Sequence, residues 1–345
     1  MIAVHLGLVL ALLYAGCDQN TDTGTRPSET VNRRFVTEPT PTVIIVDKEQ
    51  PFVAGTRGMA NLGNTCYFNS ALQILTHSEP FIREFEALKL QDLISIEPES
   101  KLPQLVKNLL ANHWENSKTA IDPTELFNEL SRLDPVFFRL GVVNDANEML
   151  FQLFTALNQQ LFGIPHNPVE LFRFQARLTR NRAEGGDPMI QNDPLMSLDV
   201  GFLPQDEKGV DLQTLVERYS ERREWREEVP APVIFGTEQS LLYSTPTLLL
   251  VNLQRGQGMS KLHYPITFPR ELVIQAEGAS PVRYTLVGVV HHSGKSGRGG
   301  HYYSDLYHYP SKSWYRANDS VVRKLETDFP AQGSETARLF LYQLV

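Results

Sequence analysis

The chain has 345 residues, of which 41% are hydrophobic and 21% charged, a composition typical of a globular protein with a substantial core. Thirty-two Lys and Arg against 40 Asp and Glu leave a net charge of −8. General nucleic-acid-binding proteins carry a basic face, so this acidic balance argues against nucleic acid as a partner. Only two cysteines occur, Cys17 and Cys66, which excludes a disulfide framework and a zinc site built from paired C-x-x-C motifs.

The first predicted element is a targeting segment at residues 1–17. Residues 2–15 are almost wholly apolar and lead into Ala-Gly-Cys at positions 15–17. A helix of this length is too short for a hydrocarbon core of about 30 Å, so the segment is typical of a secretory signal. Its end resembles a bacterial lipoprotein signal, which implies lipidation and membrane tethering at Cys17 and a secreted or membrane-anchored protein. The alternatives are a plain signal or short anchor, and a misassigned start or structureless tail.

Residues 18–50 are predicted to be a disordered tether. They are rich in Thr, Asn, Pro, Glu and Arg and show almost no apolar pattern before residue 43. Such a composition cannot offset the entropy lost on ordering. The chain contains no internal repeat and no second linker of comparable length, so residues 51–345 are predicted to form one folded domain.

Helical patterns dominate the first half of this domain. Phe68, Ala71, Leu72 and Leu75 follow the spacing of one helix face, and this helix must end before Pro80. A second pattern runs from Ala146 to Leu157. Asp145 precedes it as a predicted N-cap, with Glu148 three residues later.

The second half of the domain shows strand patterns instead. Short apolar segments separated by Gly, Pro or Ser clusters predict strands at residues 247–253, 272–275, 284–291, 301–309, 314–318 and 338–344. Helices followed by antiparallel strands predict an α+β fold.

A cysteine at the start of the first helix is the strongest chemical signal. Residues 58–73 read GMANLGNTCYFNSALQ, a polar loop with glycines that leads into the helix at Cys66. A helix N-terminus carries a partial positive charge and free N–H groups, which favour the nucleophilic thiolate over the thiol. The alternative is that Cys66 is a small buried hydrophobic residue.

A nucleophilic cysteine needs a base and a residue that orients the base. Residues 284–294 read YTLVGVVHHSG, residues 299–303 read GGHYY, and residues 314–319 read WYRAND. His301 begins one strand of a predicted hairpin and residues 314–318 return beside it. This arrangement would bring Asn318 or Asp319 to the imidazole, although a single histidine here is more often structural.

The segment between these motifs is predicted to be a flexible loop. Gly294-Lys295-Ser296 matches the end of a phosphate-binding P-loop, but Val289 occupies the position of the required leading glycine. A strand also follows instead of a helix. Residues 294–300 are therefore predicted to be a loop that moves around a substrate.

Together these motifs resemble the ubiquitin-specific protease family. Residues 58–73 are similar to its cysteine box, G-L-x-N-L-G-N-T-C-Y-x-N-S-x-L-Q, and residues 284–303 are similar to its histidine box. Three weaker family motifs follow the family's order: NDANEML at 144–150, LLLVNLQR at 248–255 and ARLFLY at 337–342. The resemblance covers about residues 55–345.

The resemblance implies a cysteine-type deubiquitinase, which hydrolyses the isopeptide or peptide bond after the C-terminal Gly of ubiquitin through an acyl-enzyme. It implies Cys66 as nucleophile, His301 as base, Asn318 as orienting residue with Asp319 beside it, and Asn61 as oxyanion donor. Asp145 and Tyr302 are the implied substrate-binding residues, although Asp145 could equally be only a helix cap. Ubiquitin and ubiquitinated proteins are the implied partners of a monomer, and no cofactor is implied.

The implied fold is a papain-like hand with a helical thumb, an antiparallel β palm and fingers. The family often carries two C-x-x-C pairs in the fingers, and none occurs between residues 171 and 250, which implies a shortened, zinc-free region with no metal site. Two other functions are compatible with the sequence: a catalytically inactive ubiquitin-binding module and a protease for another ubiquitin-like modifier. With a bacterial signal, the substrate would belong to a eukaryotic host or predator.

Overall fold

The computed structural model describes residues 53–89, 101–227, 234–257, 260–296, 299–330 and 332–345. The predicted signal at residues 1–17 and tether at residues 18–50 lie outside these ranges. Among the helices in these ranges, none is both long and apolar enough to cross a membrane.

The helices lie mainly in the first half of the domain, as the sequence predicts. Their bounds are Cys66–Thr76 (α1), Glu79–Ala87 (α2), Leu102–His113 (α3), Thr124–Leu133 (α4), Ala146–Gln160 (α5) and Leu212–Arg218 (α6). Asp145 caps α5, because its carboxylate accepts hydrogen bonds from the backbone N–H groups of Asn147 (2.9 Å) and Glu148 (3.1 Å). Every residue of α1 is buried. This helix is therefore a central element of the core.

Four antiparallel strands form a separate sheet within residues 171–250, the part of the chain where fingers are expected. They are Phe174–Arg182 (β1), Met189–Leu195 (β2), Arg223–Glu227 (β5) and Ile234–Leu242 (β6), in the order β2-β1-β6-β5. The sequence did not predict these strands, because their residues are mostly exposed or half-buried on both faces and show no clear alternation.

The palm is a larger sheet that carries the predicted histidine motif. Its main strands are Leu198–Gly201 (β3), Leu248–Gln254 (β7), Val282–Ser296 (β12), Gly299–His308 (β13), Ser313–Asn318 (β14), Val321–Lys324 (β15) and Ala337–Leu344 (β16). Their order is β15-β14-β13-β12-β16-β7-β3, and all neighbours are antiparallel except β3 and β7. The short strands are Val210–Asp211 (β4), Gly256–Gln257 (β8), Ser260–Lys261 (β9), Ile266–Thr267 (β10) and Glu271–Ile274 (β11).

The palm separates two hydrophobic clusters because its central strands bury both faces. In β16, Leu339 and Leu341 belong to the cluster under the helices, whereas Phe340 and Tyr342 belong to the cluster on the opposite face. This division follows the two-residue period of a strand. Cys66 belongs to the helix-side cluster, as does Tyr302 of β13.

The predicted flexible loop at residues 294–300 is partly wrong. Strand β12 continues to Ser296 and β13 already begins at Gly299, and these two residues pair across the hairpin. A Cβ atom on Gly294 would lie 2.4 Å from the Gly299 carbonyl oxygen. At Gly294, glycine therefore permits close approach of paired strands rather than loop movement. Residues 297 and 298 lie outside the described residues.

Three buried histidines form a cluster where the helices meet the palm: His77, His113 and His308. Burial lowers the pKa of His77 to about 4 and the pKa of His113 well below its usual value. The ring nitrogens of His113 and His308 donate to the carbonyl oxygens of Gly55 (2.9 Å) and Ala54 (2.8 Å). The neutral rings of this cluster thus hold residues 54 and 55 in place, just before the cysteine loop.

Acid is expected to destabilise this protein through the histidine cluster. In the unfolded chain these histidines gain protons below about pH 6.5, whereas burial in the folded protein lowers the pKa of His77 to about 4 and also lowers the pKa values of His113 and His308. Because the unfolded state then binds more protons, the free energy of unfolding should fall by about 1.4 kcal/mol per pH unit for each such histidine. Urea unfolding between pH 7 and pH 5 measures this slope.

Replacing one member of the cluster tests the cause of the acid effect. His308→Phe should make the slope shallower, while the same change at exposed His263 should leave it as in the wild type. A slope that His308→Phe does not alter would assign the acid sensitivity to other groups.

Candidate active site

The loop before α1 is held by the side chain of Asn61. Its Oδ1 atom accepts hydrogen bonds from the backbone N–H groups of Gly63 (2.9 Å) and Thr65 (3.2 Å). The Oγ1 atom of Thr65 accepts from the backbone N–H of Leu62 at 2.8 Å. Asn64 adopts a φ of +58°, which asparagine tolerates better than most residues. These contacts fix the loop so that α1 begins at Cys66.

The same loop packs directly on the turn between β14 and β15. A Cβ atom on Gly58 would lie 2.3 Å from the carbonyl carbon of Ser320, so no other residue fits there without movement of the backbone. The backbone N–H of Met59 donates to the carbonyl oxygen of Asp319 at 2.8 Å. The cysteine loop and the end of the predicted hairpin are therefore in contact, although about 260 residues separate them in sequence.

His301 and Asn318 form a direct hydrogen bond across the predicted hairpin. Strands β13 and β14 pair antiparallel, with Ser304 opposite Ala317, and the His301 Nε2 atom lies 2.6 Å from the Asn318 Oδ1 atom. An amide oxygen only accepts, so Nε2 carries the proton and Nδ1 is the basic ring nitrogen. The hairpin prediction is confirmed.

Asp319 makes different contacts from its neighbour Asn318. It has a φ of +48° at the turn, and its two carboxylate oxygens accept hydrogen bonds from the side-chain amides of Asn61 (2.9 Å) and Asn69 (2.8 Å). Asp319 therefore ties the cysteine loop and α1 to the palm. Sequence reasoning missed Asn69, although a fully buried polar side chain one turn after Cys66 needs a partner of this kind.

The Cys66 thiol is only 4% exposed, and burial raises its pKa. The negative charge of Asp319 also raises it, whereas hydrogen bonds from backbone N–H groups, including that of Tyr302, lower it. From the helix N-terminus, the sequence predicts a lowered pKa for Cys66. In the free protein, burial of the thiol outweighs that effect, and the pKa is raised instead. The contact with Tyr302 places the sulfur beside the residue that follows His301.

Asp145 and Tyr302 meet at the other end of the site. Besides capping α5, Asp145 accepts hydrogen bonds through Oδ2 from the Tyr302 hydroxyl (3.3 Å) and pairs with the Arg338 guanidinium (2.7 Å). The Tyr302 side chain is buried, and its pKa is raised far above the usual value by burial and by Asp145. Arg338 was missed because the strand pattern of residues 338–344 does not indicate a partner on α5.

The predicted site residues thus converge on one region where α1, the cysteine loop, β13 and the β14–β15 turn meet. Among the described residues, no group of three or more His, Cys, Asp and Glu side chains has the arrangement of a metal site.

Two sequence relatives match parts of this chain. "Ubiquitin carboxyl-terminal hydrolase 3" of Saccharomyces cerevisiae is 34% identical over 103 residues, which are 25% of this chain and 11% of that protein. "Probable ubiquitin carboxyl-terminal hydrolase 16" of Schizosaccharomyces pombe is 24% identical over 306 residues, which cover 80% of this chain and 63% of that protein. The match spans less than two thirds of the length of either relative.

Solved structures with the same fold include the SAGA Ubp8/Sgf11/Sus1/Sgf73 DUB module bound to ubiquitin aldehyde. The TM-score is 0.70 with 18% sequence identity, over 85% of this chain and 70% of that chain. A form of the module bound to monoubiquitin gives a TM-score of 0.71 with the same coverage. This likeness confirms the predicted α+β, papain-like fold.

The family model for ubiquitin carboxyl-terminal hydrolases matches residues 57–342, which is most of the chain and includes every residue of the site described above. The cysteine box, the histidine box and their order along the chain agree with this match. The chain therefore belongs to the ubiquitin carboxyl-terminal hydrolase family, the family of the ubiquitin-specific proteases.

Proposed function

We propose that this protein is a cysteine-type deubiquitinase that hydrolyses the isopeptide or peptide bond after the C-terminal Gly of ubiquitin. The observation that carries the proposal is the 2.6 Å hydrogen bond between His301 and Asn318, on the strand that contacts the Cys66 sulfur. This is the arrangement that a cysteine nucleophile needs: a base, and a residue that orients the base. Membership of the family supports ubiquitin as the substrate, as does the binding of ubiquitin by the structurally similar DUB module.

In the proposed mechanism, His301 takes the Cys66 proton through Nδ1, because Nε2 already donates to Asn318. The thiolate attacks the carbonyl carbon of the terminal Gly, and the C–N bond breaks as His301 returns the proton to the leaving amine. Water, activated by the same imidazole, then hydrolyses the thioester. The products are the ubiquitin carboxylate and the free Cys66 thiol.

Burial of the thiol fits this order of events. Because burial raises the pKa of Cys66, proton transfer to His301 provides the thiolate when the substrate is bound. The imidazolium that results is held in place by Asn318, whose oxygen accepts from Nε2.

Asn61 is proposed to stabilise the oxyanion. Its amide nitrogen has two N–H groups, and the contact with Asp319 uses one of them. The other is proposed to point at the oxygen that becomes negative during attack, together with the backbone N–H of Cys66. Asp319 would then hold Asn61 in the required orientation.

Asn61→Ala is expected to lower kcat by roughly 10- to 10³-fold with little change in ubiquitin binding, because this amide acts on the transition state. Steady-state kinetics on ubiquitin with a fluorogenic C-terminal amide would measure both constants. Asn61 also braces the loop, so thermal unfolding of the variant serves as the control for folding. A loss that is confined to KM would make Asn61 a ground-state contact instead.

Asp145 and Tyr302 are proposed to contact the ubiquitin tail. The Asp145 side chain is about a quarter exposed and lies beside Tyr302, whose backbone N–H reaches the Cys66 sulfur. A carboxylate at this position can pair with a basic residue of an extended tail.

The proposal is tested with ubiquitin that carries a C-terminal electrophile. The wild-type protein should form a stoichiometric covalent adduct, located at Cys66 by mass spectrometry, and Cys66→Ala should form none. Unchanged labelling of Cys66→Ala would contradict the nucleophile assignment. Binding without labelling in the wild type would favour an inactive ubiquitin-binding module, and labelling only by another modifier would favour a different substrate.

We also propose that residues 1–17 are a lipoprotein-type signal that tethers the protein to a membrane through Cys17. The apolar segment at residues 2–15 and its Ala-Gly-Cys end support this proposal. Incorporation of labelled palmitate should occur in the wild type and be lost in Cys17→Ala. An equal distribution of both proteins in the soluble fraction would contradict it.

A further inference from the structure

Lys261 is a buried lysine that has no role in the proposed mechanism. It contacts β12, the strand that pairs with β13, which carries His301. Lys261 of β9 is 8% exposed, and its ammonium donates to the carbonyl oxygens of His292 (2.6 Å) and Gly294 (3.3 Å). The same Nζ atom lies 3.2 Å from the Nδ1 atom of His292. All three contacts are with the end of β12, where the pairing with β13 shifts register between Ser293 and Ser296.

The ammonium determines which nitrogen of His292 carries the proton. Lysine has donors but no acceptor, so Nδ1 must accept and the proton of the neutral ring lies on Nε2. Burial and the charges of Lys261 and Arg338 lower the pKa of His292 to about 4, which keeps the ring neutral at physiological pH. Lys261 therefore holds His292 in one tautomer and one orientation.

The His292 ring in turn contacts the residues on both sides of His301. Its centroid lies 4.5 Å from that of the Tyr302 ring. On the other side, a Cβ atom on Gly300 would lie 2.5 Å from the His292 Nε2 atom, so the ring rests against the Gly300 backbone. Movement of His292 would shift Gly300 and Tyr302, and with them His301 and the Tyr302 N–H group at the Cys66 sulfur.

The positive charges around Lys261 make the burial of its ammonium group energetically unfavourable. Arg255 and Arg338 are close enough to act with burial in lowering the pKa of Lys261 to about 8. The acidic groups nearby face other cations: Glu335 acts on Arg255, and Asp145 pairs with Arg338. Among the described residues, no carboxylate pairs with Lys261, so hydrogen bonds alone compensate the burial of its charge. Charged groups in such surroundings concentrate at functional sites.

We propose that Lys261 is a positioning residue, which fixes His301 relative to Cys66 by holding the His292 ring against Gly300 and Tyr302. The inference rests on the proposed function of His301 and Cys66. It differs from a structural role because it concerns the alignment of the proton transfer rather than the stability of the palm.

Lys261→Met keeps the length of the side chain and removes the ammonium. A small misalignment of reacting groups slows the reaction strongly. We therefore expect kcat on ubiquitin with a fluorogenic C-terminal amide to fall by about 10- to 100-fold, while KM stays within about threefold of the wild-type value. Lys208→Met, at an exposed lysine, is the matched control and should behave as the wild type. Lys261→Arg restores donors to His292 and should recover part of the lost kcat.

A second readout does not need ubiquitin. In a Cys17→Ser background, Cys66 is the only thiol of the full chain, and its alkylation by iodoacetamide reports thiolate formation against pH. In Lys261→Met, the midpoint of this profile should move to higher pH, because His301 no longer pairs with the thiolate as well. A palm that is only less stable would leave the midpoint unchanged.

The outcomes separate the two proposals. If wild-type protein neither cleaves nor labels with ubiquitin probes, the proposed function fails, while the alkylation profiles still test Lys261. If folded Lys261→Met keeps kcat within about twofold and the same alkylation midpoint, the positioning role is wrong. Should Lys261→Met not fold, His292→Phe keeps a ring beside Tyr302 and removes the nitrogen that Lys261 contacts, and an unchanged kcat in that variant would overturn the proposal.

Discussion

His301→Ala is expected to lower kcat on ubiquitin substrates by about 10²- to 10⁴-fold, the range that general acid–base groups contribute. His301 is proposed to act twice, first as the acceptor of the Cys66 proton and then as the donor to the leaving amine. Because the thiol is buried and its pKa is raised, loss of the base leaves little thiolate near pH 7. Single-turnover kinetics would show the loss in the acylation step, with ubiquitin binding unchanged.

The exposed His263 offers a matched control for this substitution. His263→Ala should retain full activity and the wild-type thermal stability. A His301→Ala protein that still forms the acyl-enzyme at the wild-type rate would mean that another group removes the Cys66 proton.

Asn318→Ala is the second substitution with a large expected effect, a loss of about 10²- to 10³-fold in kcat, because the imidazole loses the bond that fixes its tautomer and direction. Asn318→Asp should be tolerated, since a carboxylate oxygen can accept the same Nε2–H bond. Kinetics of the single and double alanine variants of Asn318 and Asp319 would test these roles.

Asp319→Ala should behave differently, because Asp319 holds Asn61 and Asn69 and does not bond the imidazole. We expect a smaller loss of kcat, about 10- to 10²-fold, with reduced thermal stability. Removal of its charge should also shift the Cys66 alkylation profile to lower pH, since that charge raises the pKa of the thiol. If Asp319→Ala abolishes turnover while Asn318→Ala leaves it intact, the two roles are reversed.

The elements around the site were predictable because their signals are local. The helix that begins at Cys66 shows its apolar period within one segment, and Asp145 is recognisable as a cap from its position before α5. The hairpin of β13 and β14 was predictable from two short apolar segments separated by a turn. The fingers strands were not, because half-buried strands in a four-stranded sheet carry no regular alternation.

Glycines were the main source of error within the predicted site. The glycines of residues 294–300 suggested a mobile loop, but Gly294 and Gly300 permit contacts with Gly299 and His292 that a Cβ atom would prevent. Glycine occurs both in flexible loops and where two backbone segments pack closely. The sequence alone does not distinguish these two uses, because the difference depends on which strand lies next to the glycine.

By itself, the sequence determined the family, the helix that presents Cys66 and the strands that present His301 and Asn318, since each depends on residues close together along the chain. Only the tertiary structure decided which distant residues contact these groups and in which direction the pKa of Cys66 shifts. Asp319 binds Asn61 from 258 residues away, and Lys261 reaches His292 from 31 residues away, so neither contact follows from local pattern. The direction of the Cys66 pKa shift was likewise settled by packing, because burial of the thiol depends on how α1 meets the palm.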